Sequence, residues 1–380
     1  MEGVSMRRIF YLTGTRADFG LMRSTLEEIH AHPRLELGLL VTGMHLDQYY
    51  GNTVGDVEAS GLPIVARLPV ALRGDDGGVM ARAIAHELLG VVDVLESHSP
   101  DLLLLLGDRG EMLAGAIAAL HLSIPIVHLH GGERSGTVDE PVRHAISKLS
   151  HIHFTATVEA RDRLIRMGER PEMIFVTGAP GLDGLDDRDV PHRDELFSAF
   201  GFDPAKRVAL VIFHPVVQQS KAAAAQVRTL IDALARVERL QALVLTPNAD
   251  AGGDAMRAVI NEPRADFMVT THLPRKQFSQ WLARADVMVG NSSSGIIEAA
   301  SFHVPVVNVG DRQQGRERSA NVRDVPVDSH AIERAVREAL AEGRVSVENV
   351  YGDGHAGERI VALLESIAIN SELLLKCNVY

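Results

Sequence analysis

The sequence predicts two doubly wound α/β sheets, both parallel, on three observations. Short β-rich runs alternate with helical patterns along the 380 residues. The runs are apolar on both faces, as strands covered by helices on each side require. The alternation is interrupted once, by the polar, turn-rich "LDGLDDRDVPHRDE" near 182–195. This places one Rossmann-like domain over residues 1–185 and a second over 186–380, each large enough for its own core. The last helix is assigned to pack back on the first domain.

The first domain takes its strands, in order, from "RIFYLTG", "LELGLLVTG", "LLLLLG", "IPIVHLH", "HIHFTAT" and "MIFVTG". The second takes them from "RVALVIF", "QALVLTP", "DFMVTT", "DVMVGN" and "VPVVNVG", with helical patterns between, such as Gln218 to Arg239 and Pro274 to Ala283. Ligands of such sheets bind at the carboxyl ends of the strands. Those ends are polar and glycine-rich in both domains, so the simplest geometry is one cleft that both sets of strand ends face.

The composition, 46% hydrophobic and 23% charged, is that of an ordinary globular protein. A net charge of −12 with no basic block argues against nucleic acid or an anionic membrane as partner. Small anions remain open, because a local nest of donors suffices. A single cysteine, Cys377, excludes an internal disulfide framework and suits a cytoplasmic protein. No run of 18 apolar residues is present, and the start "MEGVSMRRIFYL" has no apolar signal core.

Five segments carry the chemistry. "TGTRADFG" places Gly14, Thr15 and Arg16 between strand and helix. Free amides and a forked guanidinium suit a phosphate there; the plain alternative is a βα turn capped by Asp18. "GNSSSGIIEAASF" sets Ser292, Ser293 and Ser294 at a helix start, an electrostatic seat for a diphosphate, with Glu298 one turn on to accept both hydroxyls of a ribose. In "NVGDRQQGRERSAN", Arg312 lies near enough to a strand end to hold phosphate, while Arg316 and Arg318 read as solvated loop. "FHP" ends a strand with His214 facing the cleft. "LGDRGE" and "HLHGGERSGTVDEPVRHAIS" supply Asp108, Glu133 and Asp139 at adjacent strand ends, where crowding raises at least one pKa toward neutrality. Asp139 or Glu140 before Pro141 is also a helix-cap signal, and Glu133 has Arg134 or Arg143 as a salt-bridge partner. Asp108, ending a run of five leucines, has the weakest structural explanation. Clustered histidines such as His128 and His130 lack metal-site spacing, so no metal is expected.

Taken together, "TGTRADFG", "VTGMHLD", "LLGDRGE", "HLHGGERSGTVDEPVRHAISKLSHIHF", "VTGAPGLD", "FHP", "GNSSSGIIEA" and "NVGDRQQGR" resemble the hydrolysing UDP-N-acetylglucosamine 2-epimerases, in order from about residue 7 to 370. The resemblance implies a GT-B-like fold with UDP in the interdomain cleft, no cofactor, a UDP-sugar as partner and a homodimer or homotetramer. It also implies the chemistry. UDP-GlcNAc loses UDP by elimination to a 2-acetamidoglucal, and water adds with inversion at C2 to give ManNAc for sialic-acid-type synthesis. Arg16, Asp108, Arg109, Glu133, Asp139, His214, Asn248, Ser293, Glu298 and Arg312 match the family's sites by motif. Where several members read "HIEGGE", this chain reads "HLHGGE", so the role of that glutamate falls either to His130, whose ordinary pKa allows it, or to Glu133. Close relatives act instead on UDP-2,4-diacetamido-2,4,6-trideoxyglucose. A non-hydrolysing epimerase would carry "EAGLRT" where this chain has "HGGERSGT". A GT-B glycosyltransferase would not need the three carboxylates, and a non-catalytic nucleotide-sugar sensor would release no UDP.

Overall fold

The computed structural model describes residues 6–70, 76–185 and 190–379. The expected domain break at 185/186 and part of the 182–195 linker fall on residues outside these, as does the start of "MEGVSMRRIFYL". Within the linker, a helix already begins at Arg193.

The first sheet has seven parallel strands: β1 (Arg7–Thr13), β2 (Leu35–Thr42), β3 (Ile64–Leu68), β4 (Leu102–Leu106), β5 (Ile126–Leu129), β6 (Ile152–Thr155) and β7 (Ile174–Val176), in the order β3-β2-β1-β4-β5-β6-β7. The second has six: β8 (Arg207–Ile212), β9 (Leu240–Leu245), β10 (Phe267–Thr270), β11 (Val287–Gly290), β12 (Val306–Val309) and β13 (Val322–Val325), in the order β10-β9-β8-β11-β12-β13. In each sheet the order reverses beside the first strand, between β1 and β4 and between β8 and β11, which opens a crevice at the carboxyl ends. This is the two-sheet, Rossmann-like architecture read from the sequence.

Strands β3 and β13 were not foreseen, for one physical reason. Both lie at sheet edges and carry charge inside the strand, Arg67 in β3 and Arg323 with Asp324 in β13, so neither has the two-sided apolar run that marks a central strand. Central strands such as β4, whose five leucines are all buried, show that signal fully. The helix expected from Gln218 is a 3₁₀ turn over Val217–Ala222 with a kink at Gln219, and α-helical geometry starts only at Ala223.

The core lies on both faces of each sheet. Near the C-terminus, Ala356, Ile360, Val361 and Leu364 of helix Ala356–Ser366, and Leu373 beyond it, join the cluster built by β1, β2, β4 and helix Arg16–Ala31. The end of the chain therefore returns to the first sheet. Among the described residues, no helix is long and apolar enough to cross a membrane.

Candidate active site

The carboxyl ends of both sheets face a cavity of about 380 Å³. Arg16, Asp108, Arg109, His130 and Glu133 line it from the first half; His214, Asn248, Ser292, Ser293, Ser294, Glu298 and Arg312 line it from the second. Asp139 does not line it. That residue is the first of helix Asp139–Leu149, whose cap position is Val138, so it is not the N-cap its sequence suggested. Its carboxylate turns to Arg312, 3.5 Å away.

At the end of β1 the plain alternative prevails over the anion nest. Asp18 accepts hydrogen bonds from the amides of Gly14 (3.1 Å) and Thr15 (2.8 Å), and from the hydroxyls of Thr13 and Thr15. The donors that would cradle a phosphate are thus taken by the protein's own carboxylate. Burial pushes Asp18 up to about 6 despite these bonds. Arg16 pairs with Asp56, and its Nη1 is a buried donor without a hydrogen-bond partner among the described residues.

The seat after β11 also differs from expectation. Helix Ser293–Ile297 is five residues long, so its dipole is weak. Ser292 caps it, and the Ser292 and Ser294 hydroxyls bond each other at 2.8 Å. The positive charge comes instead from Arg312, which donates to the Asn291 carbonyl at 3.2 Å. Asn291 fixes the end of β8: its Oδ1 accepts from the His214 amide (2.7 Å) and its Nδ2 donates to the His214 carbonyl (2.8 Å). The His214 ring accepts the Asn248 amide at Nδ1, 3.3 Å away. Burial, then the Arg312 and Arg109 cations, hold its pKa well below the ordinary value. A neutral ring accepting at Nδ1 carries its proton on Nε2 and is a donor without charge. Glu298 is buried against Arg275. Across the cleft, Arg109 lies 3.6 Å from Asp250, which in turn accepts from Asn248 Nδ2 at 2.7 Å.

The proton-handling groups sit after β4 and β5. Asp108 ion-pairs with Arg143, whose side chain is 1% exposed. The partner considered for Glu133 thus serves Asp108. His130 has φ +60°, a left-handed conformation uncommon outside glycine and often found at functional sites. Its Nδ1 bonds Glu133 Oε1, and Glu133 Oε2 meets Arg316 at 3.2 Å. For Glu133 the expected rise does not occur. Burial alone would raise Glu133, but Arg316 and His130 outweigh it and the net direction is down. Arginines crowd this end as densely as carboxylates do. Arg316, read as solvated loop, is 8% exposed. Arg143, Arg275 and Arg316 are the functional neighbours missed in sequence. Arg143 alone left a local signal, four residues after Asp139 on a helix starting there. Among the described residues, no group of three or more His, Cys, Asp or Glu is placed to hold a metal ion.

A family model described as UDP-N-acetylglucosamine 2-epimerase matches residues 27–365. Over 377 residues, 99% of this chain and 100% of its own length, a Legionella pneumophila protein named UDP-N,N'-diacetylbacillosamine 2-epimerase (hydrolyzing) is 53% identical. A Neisseria meningitidis UDP-N-acetylglucosamine 2-epimerase is 32% identical, covering 92% of each chain. In fold, the chain is similar to a crystal structure of Neisseria meningitidis UDP-GlcNAc 2-epimerase bound to UDP-GlcNAc, with a TM-score of 0.79 at 17% identity over 95% of this chain and all of that one. With a family model across most of its length and such relatives aligned nearly end to end, the chain belongs to the hydrolysing UDP-N-acetylglucosamine 2-epimerase family.

Proposed function

We propose that this protein is a hydrolysing 2-epimerase of UDP-N,N'-diacetylbacillosamine, the 2,4-diacetamido-2,4,6-trideoxy sugar, releasing UDP and the free C2-inverted sugar. The observation that carries the choice of sugar is the 53% identity, end to end, to a protein of that name, against 32% to one named for UDP-GlcNAc. The sequence reading put UDP-GlcNAc first, because nucleotide-holding motifs do not report the substituent at C4.

The cleft supports this reaction as follows. Arg312, Arg16 and the Nε2–H of His214 hold the diphosphate, and Glu298, with Arg275 behind it, takes the ribose hydroxyls. The sugar then lies toward the first half. A base takes the C2 proton, the C2–H electron pair forms the C1–C2 double bond, and the C1–O bond breaks toward UDP. Water then adds its oxygen to C1, and a proton returns to C2 from the opposite face. Inversion therefore needs proton-handling groups on both faces of the ring. We assign these roles to His130, held by Glu133, and to Asp108, held by Arg143.

Asp108→Asn keeps the shape and removes the charge. It is expected to bind UDP as the wild type does and to lose turnover by about 10²–10⁴-fold, the usual scale for acid–base catalysis. The measurement is UDP release from both UDP-sugars in D₂O, with deuterium at C2 read by NMR. Near wild-type release and exchange would make Asp108 structural. Faster turnover of UDP-GlcNAc by the wild type would refute the choice of sugar.

A further inference from the structure

Arg316 lies on the segment after β12, in the half that carries the nucleotide seat, yet its charge is spent entirely on the other half. Its Nη1 is 3.2 Å from Glu133 Oε2 and its Nη2 is 3.9 Å from Asp108 Oδ2. These two carboxylates belong to different strand ends, after β5 and after β4, and the Arg316 guanidinium meets both. The segment is pinned where it crosses. The Gly136 amide donates to the Arg312 carbonyl at 3.0 Å, and a Cβ on Gly136 would stand 1.9 Å from the Asp311 carbonyl oxygen. Thr157 and Glu317 are hydrogen-bonded across the same seam. At 8% exposure, Arg316 is too buried to be the solvated loop residue its sequence context suggests.

We propose that Arg316 is a positioning residue that assembles the His130–Glu133 pair and Asp108 into one proton-handling group when the 311–318 segment docks on the first half. The inference rests on the reading of the cleft as a 2-epimerase site and adds to it a link between closure and chemistry. Glu133 has two oxygens and two partners: His130 Nδ1 on Oε1 and Arg316 on Oε2. With Arg316 in place, Glu133 stays ionised and its first oxygen is turned to His130. That fixes the Nδ1–H tautomer and leaves Nε2 as the basic nitrogen. Without Arg316, the buried Glu133 carboxylate loses the ion-pair partner of its Oε2.

The charged groups facing this pair come from several elements. Arg143 of helix Asp139–Leu149 donates to the Glu133 carbonyl at 3.1 Å, and Arg163 of helix Val158–Arg166 donates to the Gly132 carbonyl. Asp108 follows β4, and His128 lies on β5 with its Nε2 2.7 Å from the Gly107 carbonyl oxygen. Glu317 neighbours Arg316, and the Tyr351 hydroxyl donates to the Glu317 carbonyl at 3.0 Å. Of the three arginines, Arg316 alone reaches the Glu133 carboxylate, so its loss changes the field on His130 most directly.

The test is an NMR titration of His130, assigned by its disappearance in His130→Gln, in wild type and Arg316→Gln, each free and saturated with UDP. Removing the cation is expected to raise the His130 midpoint by about one pH unit, the lower end of what a near charge does. The UDP dissociation constant should stay within about twofold. In turnover, the acidic limb should move to higher pH by the same amount, and kcat should fall at least about tenfold. Arg316→Lys keeps the charge without the fork. It should hold the midpoint near the wild-type value and recover part of kcat, and it carries the test should Arg316→Gln not fold. An unmoved midpoint in Arg316→Gln, or wild-type kcat in Arg316→Lys, overturns the proposal and leaves Arg316 a strap between the halves. If the wild type releases no UDP from either UDP-sugar, the epimerase reading fails instead, and the His130 titration still decides the role of Arg316.

Discussion

At the residue scale, the distribution of charge explains why two arginines four residues apart in one sequence context do different work. Arg312 donates to the Asn291 carbonyl and faces the cavity beside the serines; Arg316 points across to Glu133. Arg312→Ala is expected to weaken UDP binding by about 1.5–3 kcal/mol, the range for a hydrogen bond to a charged group. Isothermal titration with UDP measures it, and unchanged affinity would show that Arg312 serves only Asp139. Asp108, His130, Glu133 and His214 were legible as candidates because polar residues interrupt apolar runs where a central strand must end. Their partners were not. Asp108 and Arg143 are 35 residues apart and Glu133 and Arg316 far more, and nothing local ties a loop arginine to a strand end in the other half. The anion nest at Gly14 and Thr15 was misread for a related reason: Asp18 competes for the same amides, and sequence alone does not say which acceptor wins.

At the element scale, the crevice depends on how β8 and β11 lie against each other where the strand order of the second sheet reverses. The two strands pair from Val287–Ala209 to Gly290–Ile212, and β11 ends at Gly290 with φ +140°. A Cβ there would stand 1.9 Å from the Ile212 carbonyl oxygen, against backbone rather than a side chain that could turn aside. Only glycine fits the backbone conformation and the distance together. Gly290→Ala is expected to part the strand ends and release the Asn291 clamp on His214. It should lower the urea midpoint of unfolding and abolish UDP binding even where the protein still folds. A variant with wild-type midpoint and affinity would show that the strands tolerate the shift. Sequence made the interior of this element plain, since the runs of β8 and β11 are apolar throughout. The edge strands β3 and β13 escaped because Arg67 in one, and Arg323 and Asp324 in the other, break the apolar run.

At the scale of the whole molecule, the contacts that join the two sheets across the cleft include four beside the site: Arg109 with Asp250, Arg312 with Asp139, Arg316 with Glu133, and the backbone bond from Gly136 to Arg312. Three of the four run through the 311–318 segment, so the seating of that segment on the 131–139 turn decides whether nucleotide seat and proton-handling groups face each other at reacting distance. Proximity of this kind is worth several kcal/mol of barrier, and a misplacement of about 1 Å is enough to forfeit much of it. At Gly136 the Asp311 carbonyl oxygen occupies the space that a side chain would need. Gly136→Ala puts one methyl group into that seam without touching the cavity lining or either core. Each half should keep its stability, and UDP should bind with little loss, because the diphosphate and ribose contacts lie mostly in the second half. Deuterium exchange at C2 and UDP release should fall together by about 10²-fold. Small-angle scattering in the presence of UDP should show a larger radius of gyration than the wild type. Full turnover in Gly136→Ala would mean that the halves close without this contact, and that the seam is packing rather than part of the catalytic geometry.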